Sequence, residues 1–294
     1  MKKKIIYISG EGHSGSTLLD IVLGSQKNSF SAGELRFLPD KGIKKRQYCA
    51  CGVPVPECDI WSDVIKEWDE VRKLDLDSYI KIQNNLMSNR NFFKASRMLK
   101  DKPKPIQDLL KDTESLYGII FSVTKSDCII DSSKAPGMIP ILKELSFDVT
   151  VIHLIRRFGH VLNSNKRQTK KDLKAGIEHD VKPINTITVM RSWLLKNMLT
   201  KKYSKGLDYR QIKYEEYVND LEDAISRITD YNSEFNSLLK NRGPFYPRHL
   251  VAGNALRMKD EVFVAKKPMN TTYERLNFSD RLLAKCFDIF YKFN

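Results

Sequence analysis

The chain has 294 residues, 41% hydrophobic and 29% charged, the composition of an ordinary globular protein. Fifty Lys and Arg against thirty-six Asp and Glu leave a formal charge of +14, which favours an anionic partner: a nucleotide, a sulfated or phosphorylated substrate, a nucleic acid or a lipid headgroup. No run approaches the roughly 18 apolar residues of a spanning helix, the apolar stretch after the basic start is too short for a secretory signal, and five cysteines, an odd count, do not resemble a disulfide framework. A cytoplasmic protein with no transmembrane segment is expected.

The short β-branched run KIIYIS (4–9), stopped by Gly10, predicts a buried strand. Helical periodicity follows over 16–24, with Leu18, Leu19, Val22 and Leu23 on one side. Residues 62–118 are polar, with helical stretches and few strand signals, and are expected to form a helical insertion walling a substrate cleft. SDCIIDSS (126–133) and FDVTVIHLI (147–155) predict two more buried strands, each preceding a helical pattern, over 136–145 and 159–168. The charged, poorly patterned stretch 166–183 is expected to be a mobile lid or loop, and 187–203 a helix. A fourth strand is expected over 208–216, running into a helix over 217–231. This alternation argues for an α/β fold with a central parallel sheet flanked by helices, in three layers like a P-loop NTPase. With no repeats and no low-complexity linker, residues 1–294 are expected to form one domain.

In a parallel sheet, ligands bind beyond the carboxyl ends of the strands. Three predicted strands end there in unusual chemistry: SGEGHSGST, DSSK and RRFGHVLNS. In the first, Gly10-x-x-x-x-Gly15-x-Thr17 has the spacing of a phosphate-binding loop, but Ser16 stands where an ATPase carries its lysine. Glycines at 10, 12 and 15 let main-chain N–H groups approach an anion, a helix N-terminus reinforces them, and Ser14, Ser16 and Thr17 add hydroxyl donors. Without the lysine a triphosphate is disfavoured, whereas a 5′-phosphate still suits the loop. His13 lies where an imidazole would meet a leaving oxygen, or else is an exposed loop histidine.

GHSGSTLL resembles the 5′-phosphosulfate loop of sulfotransferases that use 3′-phosphoadenosine-5′-phosphosulfate (PAPS), with His13 where relatives commonly carry Lys or Arg. VIHLIRRFGHVLNS is similar to the family's second signature, with Arg156 and Ser164 in place of the pair that holds the 3′-phosphate, although Arg157 and Phe158 replace the usual Asp-Pro. SAGELRFL resembles the family's Gly-Glu segment, DSSKAP its Asp-Ser-Ser-Lys stretch, and IKYEEYV the segment whose tyrosine lies beside adenine. HLVAGNALRM and CACGVPVPECDIW resemble elements of a bacterial subgroup. The resemblance implies sulfuryl transfer from PAPS, with PAP as product, to a hydroxyl or amine of an unidentified acceptor such as a glycan, lipid or small molecule. It implies Glu34 as general base, and His13 and the loop N–H groups as stabilisers of the departing phosphate. Lys134, a compact cation at a strand end, would stabilise the sulfuryl or bridging oxygens. The nucleotide would be held by Gly12, His13, Ser14, Gly15, Ser16, Thr17, Arg156, Ser164 and Tyr214, with Gly253, Asn254 and Arg257 as a further clamp.

Plainer roles compete. Glu34 can pair with Arg36 or Lys41 on a surface loop, Lys134 can be solvated, and Arg156 can form an ordinary ion pair, although Arg157 beside it favours a polyanion. Tyr214 can simply pack in a strand, and Gly253, Asn254 and Arg257 can cap a helix. Cys49, Cys51 and Cys58 suggest zinc, but structural zinc wants four ligands and none other lies close by in the sequence, so no metal and free buried thiols are expected. A Cys49–Cys58 or Cys51–Cys58 disulfide requires an oxidising setting. The competing enzyme class is an ATP-using P-loop kinase with Asp131 at its metal. A nucleic-acid binder is disfavoured because aromatics do not interleave with the basic clusters near 166–174 and 201–205.

Overall fold

The computed structural model describes residues 2–88, 92–172, 177, 180–266 and 273–293. Its centre is a parallel five-stranded sheet in the order β2-β3-β1-β4-β5, formed by β1 (Lys4–Gly10), β2 (Ser29–Gly33), β3 (Cys128–Lys134), β4 (Asp148–Ile155) and β5 (Asp208–Lys213). Helices cover both faces, giving the expected three layers. The alternation of β1 serves both: Ile5 and Tyr7 enter one core, Ile6 and Ile8 the other. Tyr7 and Ile8 have no exposed surface, as a central strand requires.

One face is covered by α1 (Ser16–Gly24), α9 (Tyr214–Asn219), α10 (Leu221–Ser226) and α11 (Ser233–Asn241). The other is covered by α2 (Asp59–Val71), α3 (Leu76–Met87), α5 (Lys104–Thr124) and the short α6 (Ile139–Leu142), whose apolar residues pack against Ile5, Tyr7 and Ile129. With α4 (Phe92–Asp101), helices α2, α3 and α5 occupy most of the chain between Asp59 and Thr124. A third cluster joins α7 (Phe158–Asn165), α8 (Thr186–Tyr203) and α12 (Phe278–Phe293) around Phe158 and Trp193.

Several elements depart from expectation, each for a local reason. Strand β2 has no periodic signal, because SFSAG on a sheet edge carries only one large apolar residue. Strand β5 ends at Lys213, so Tyr214 opens a helix. The helix expected over 217–231 breaks at Asp220, whose side chain accepts from Asp223 N and caps α10. The helix expected over 136–145 shrinks to a turn and one short helix, since Pro140 lies within it and Gly137 abuts Met87. Within 166–183, antiparallel bridges join Thr169 to Val181 and Asp172 to Ile177; residues 173–176, 178 and 179 lie outside the described residues. No helix among the described residues is long and apolar enough to cross a membrane.

Candidate active site

The three motif-bearing strands β3, β1 and β4 are neighbours, so their carboxyl ends meet. After β1, residues 11–15 loop into α1. Gly15 has φ +90°, and a Cβ there would lie 2.5 Å from the Tyr214 ring, so glycine alone fits. His13 adopts the left-handed region without being glycine (φ +63°). The first N–H groups of α1 have no intrahelical acceptors. Ser14 is buried and its Oγ finds no hydrogen-bond partner among the described residues, an orphan donor inside the loop. Ser16 and Thr17 are buried in the first turn, and Thr17 Oγ1 accepts from Asn254 N at 3.4 Å. Glu11 ties the loop to α8: Lys196 Nζ lies 2.9 Å from Oε1 and Ser192 Oγ donates to Oε2 at 2.5 Å.

Arg156, just past β4, is 8% exposed. Its Nη1 donates to His13 O at 2.7 Å, and its guanidinium lies 4.3 Å over the Tyr214 ring. One side chain thus braces the loop, β4 and the start of α9. Ser164 is half-buried on α7. His13 is exposed, yet desolvation by its surroundings and the cations Lys134, Arg156 and Lys196 hold its pKa below the ordinary value, while Glu11 opposes them.

On the other side of β1, Glu34 is 8% exposed and accepts from Lys134 Nζ at 2.5 Å. This is not the surface pairing with Arg36 or Lys41, which both lie over the Phe37 ring. Lys134 is mostly buried rather than solvated, and is held at φ +64° as β3 ends. Glu34 N donates to Val251 O at 2.8 Å, and Gly253, at φ +104°, lies beside its carboxylate, where a Cβ would be in ordinary contact with Oε1 at 3.5 Å. A cavity of about 280 Å³ opens here, lined by Gly12, Glu34, Arg36, Met87, Lys134 and Lys196. Met87, at the end of α3, is the helical insertion's contribution. Arg36 lies within SAGELRFL but is expected only as a partner for Glu34, whereas Lys196 belongs to no motif and leaves helical phase on α8 as its only trace.

The residues of the late segment separate. Asn254 uses its side chain to cap the short helical turn Ala255–Met258, accepting from Leu256 N at 3.0 Å. Arg257, expected among the nucleotide ligands, is fully buried instead and donates to Tyr48 O at 2.7 Å. The expectation that Cys49, Cys51 and Cys58 lack a fourth ligand also needs correction. The bridge between Gly33 and Val251 draws the late segment alongside the cysteine turn, and His249 Nδ1 comes to 3.3 Å from Cys58 Sγ.

Asp131, which a kinase would need at its metal, is turned into the core. It accepts from Tyr117 OH at 2.6 Å, Ser133 N at 2.9 Å and Ser133 Oγ at 2.5 Å, and burial raises its pKa to about 6. Asp20 of α1, also fully buried, accepts from Ser31 and Ser132 hydroxyls at 2.5 and 2.6 Å, and burial raises its pKa to about 7. The folded-state value exceeds the unfolded 3.8, so the stability this group contributes is complete below 3.8 and is lost as pH rises through about 7. Asp20→Asn should remove that loss, worth up to about 4 kcal/mol at full ionisation. Melting curves across this range should show the variant gaining on the parent as pH rises; parallel curves would mean that Asp20 ionises normally.

Among solved structures, the chain is similar to the sulfotransferase domain from the curacin biosynthetic pathway, with 17% identity, a TM-score of 0.51 and 98% of each chain covered. It also aligns with the sulfotransferase domain of the Synechococcus PCC 7002 olefin synthase (17% identity, TM-score 0.47, covering 98% of this chain and 95% of that one). A third alignment is with sulfotransferase STF9 from Mycobacterium avium (12% identity, TM-score 0.44, covering 82% and 68%). No protein-family model matches the sequence, and no curated protein is similar to it. The likeness to the first of these structures establishes the fold: three α/β layers arranged as in a sulfotransferase domain.

Proposed function

We propose that the protein is a PAPS-dependent sulfotransferase acting on a hydroxyl or amine. The observation that carries this is the joining of two halves across β1: an anion-binding loop braced by Arg156, and a Glu34–Lys134 pair opening on a cavity. The loop suits a 5′-phosphate, having orphan donors at Ser14 and the α1 terminus and no lysine for a triphosphate. Gly12 to Thr17 hold that phosphate, Arg156 and Ser164 hold the 3′-phosphate, and Tyr214 lies beside the adenine. Gly253 and the Asn254 main chain line the loop's far side, and Arg257 supports them from within the core.

In the transfer, the acceptor oxygen attacks sulfur in line. A new S–O bond forms as the bond to the nucleotide's phosphate breaks, and the acceptor's proton passes to Glu34. Lys134 neutralises charge on the sulfuryl oxygens, while the loop N–H groups and neutral His13 receive the departing phosphate. Because Lys134 also pairs with Glu34, an entering sulfuryl group would compete for that cation and free the carboxylate for the acceptor. The basic cavity wall, Arg36 and Lys196, suits an acceptor carrying negative charge, and Met87 one with an apolar part.

The discriminating measurement is thermal shift. At about 100 times its dissociation constant, PAP should stabilise the protein by about 2.7 kcal/mol, or several degrees, while Mg·ATP should add little. Stabilisation by Mg·ATP and none by PAP would reverse the assignment in favour of a phosphotransferase.

A further inference from the structure

The cysteine turn is built around a point, and the late segment completes it. Residues 47–55 form a tight loop: Cys49 N donates to Val53 O at 2.7 Å, Gly52 N to Cys49 O at 3.0 Å and Val55 N to Gln47 O at 2.9 Å, with Gly52 at φ +90°. This brings the sulfurs of Cys49 and Cys51 together, and Cys58 returns to them at the start of α2. From the far end of the chain comes His249, anchored where Trp61 Nε1 donates to its carbonyl at 2.6 Å and Ala50 N donates to Leu250 O at 3.2 Å. The three sulfurs and the imidazole nitrogen all lie within 4.8 Å of one another. Around tetrahedral zinc, sulfurs stand about 3.8 Å apart and a sulfur and a nitrogen about 3.5 Å apart. The observed Cys58–His249 separation of 3.3 Å is already close to that.

Two independent features distinguish this cluster from idle thiols. Main-chain N–H groups face the sulfurs, those of Cys51 and Val53 towards Cys49 and Cys51, those of Ile60 and Trp61 towards Cys58, as outer-shell donors orient thiolate ligands. Arg257, wholly buried, leaves Nε and one Nη with no hydrogen-bond partner among the described residues, and Cys49 and Glu34 are anion-forming groups that face it. Glu34 is already paired with Lys134. Three thiolates around one divalent cation leave a single negative charge, which would balance the buried guanidinium.

We propose that Cys49, Cys51, Cys58 and His249 hold one zinc ion in a closed tetrahedral site, which staples the turn at 47–58 to the segment at 249–258. Four protein ligands leave no open position, so the metal is structural. Cys49 and Cys58 are buried, and the exposed Cys51 side is the entry path. Binding expels the thiol protons and contributes directly to folding. The site stands whether or not the protein transfers sulfate, since it rests on residues outside the nucleotide loop.

The test is metal analysis of the full chain, purified under reductant without chelator. About one zinc per chain is expected, falling below about a tenth in Cys51→Ala, a change at an exposed position, and in His249→Ala. Cobalt offers a second readout on the parent protein stripped of metal: uptake should give thiolate-to-cobalt charge transfer and the visible bands of a tetrahedral site, both abolished by one equivalent of zinc. Metal-free protein whose reduced thiols take up no cobalt would overturn the proposal, as would an isolated Cys49–Cys58 disulfide under reductant. Zinc present equally in parent and both variants would also overturn it, because the metal would then lie elsewhere.

Discussion

Replacing Glu34 by glutamine is expected to slow sulfuryl transfer by about 10²- to 10⁴-fold, the range lost when a positioned general base is removed. Glutamine keeps the shape of the side chain and its place beside Gly253 and Lys134, so the loss would report proton acceptance rather than a collapsed cleft. The measurement is label transfer from PAPS to a broad acceptor panel, with PAP affinity determined in parallel by calorimetry. Affinity should stay within about threefold, because an interaction made only in the transition state lowers turnover and leaves binding alone. A variant that turned over at the parental rate would remove Glu34 from the chemistry.

The complementary result is expected at Arg156. Arg156→Ala should weaken PAP binding by about 10- to 100-fold, the equivalent of one or two charge-assisted hydrogen bonds to phosphate. Part of that loss is indirect: the same guanidinium holds His13 O at 2.7 Å and covers Tyr214, so its removal also loosens the loop from α9. Arg156→Lys separates the two contributions, since lysine keeps the charge and loses both the planar fork and the stacking. Calorimetric titration with PAP decides; if alanine bound as tightly as arginine, the 3′-phosphate would have to be held elsewhere.

The parts of this architecture that were legible in the sequence are those where period and punctuation agree. Strand β1 and helix α1 are an apolar run ended by Gly10 and a helical repeat ended by Gly24, and both form almost where expected. The convergence of the Gly-rich loop, Lys134 and Arg156 followed from strand direction alone. What was hidden depends on contacts between distant segments. Strand β2 exists because the edge of β3 offers it partners, not because SFSAG favours a strand. His249 gives no sign of its nearness to Cys58, since 191 residues separate them. Tyr214 alternates with Ile212 as a strand residue would, yet the main chain turns at Lys213 to set its ring against Gly15.

The seat of Glu34 bears on how the protein comes into being. Its main-chain contacts, Glu34 N to Val251 O and Val251 N to Ala32 O, join segments from opposite ends of the sequence, and contacts of such span are slow to form because a long loop must close first. On the ribosome, β1, α1, β3 and β4 emerge well before residue 251 is made. On the function proposed above, a nascent chain would acquire the means to grip an anion before it has any means to activate an acceptor.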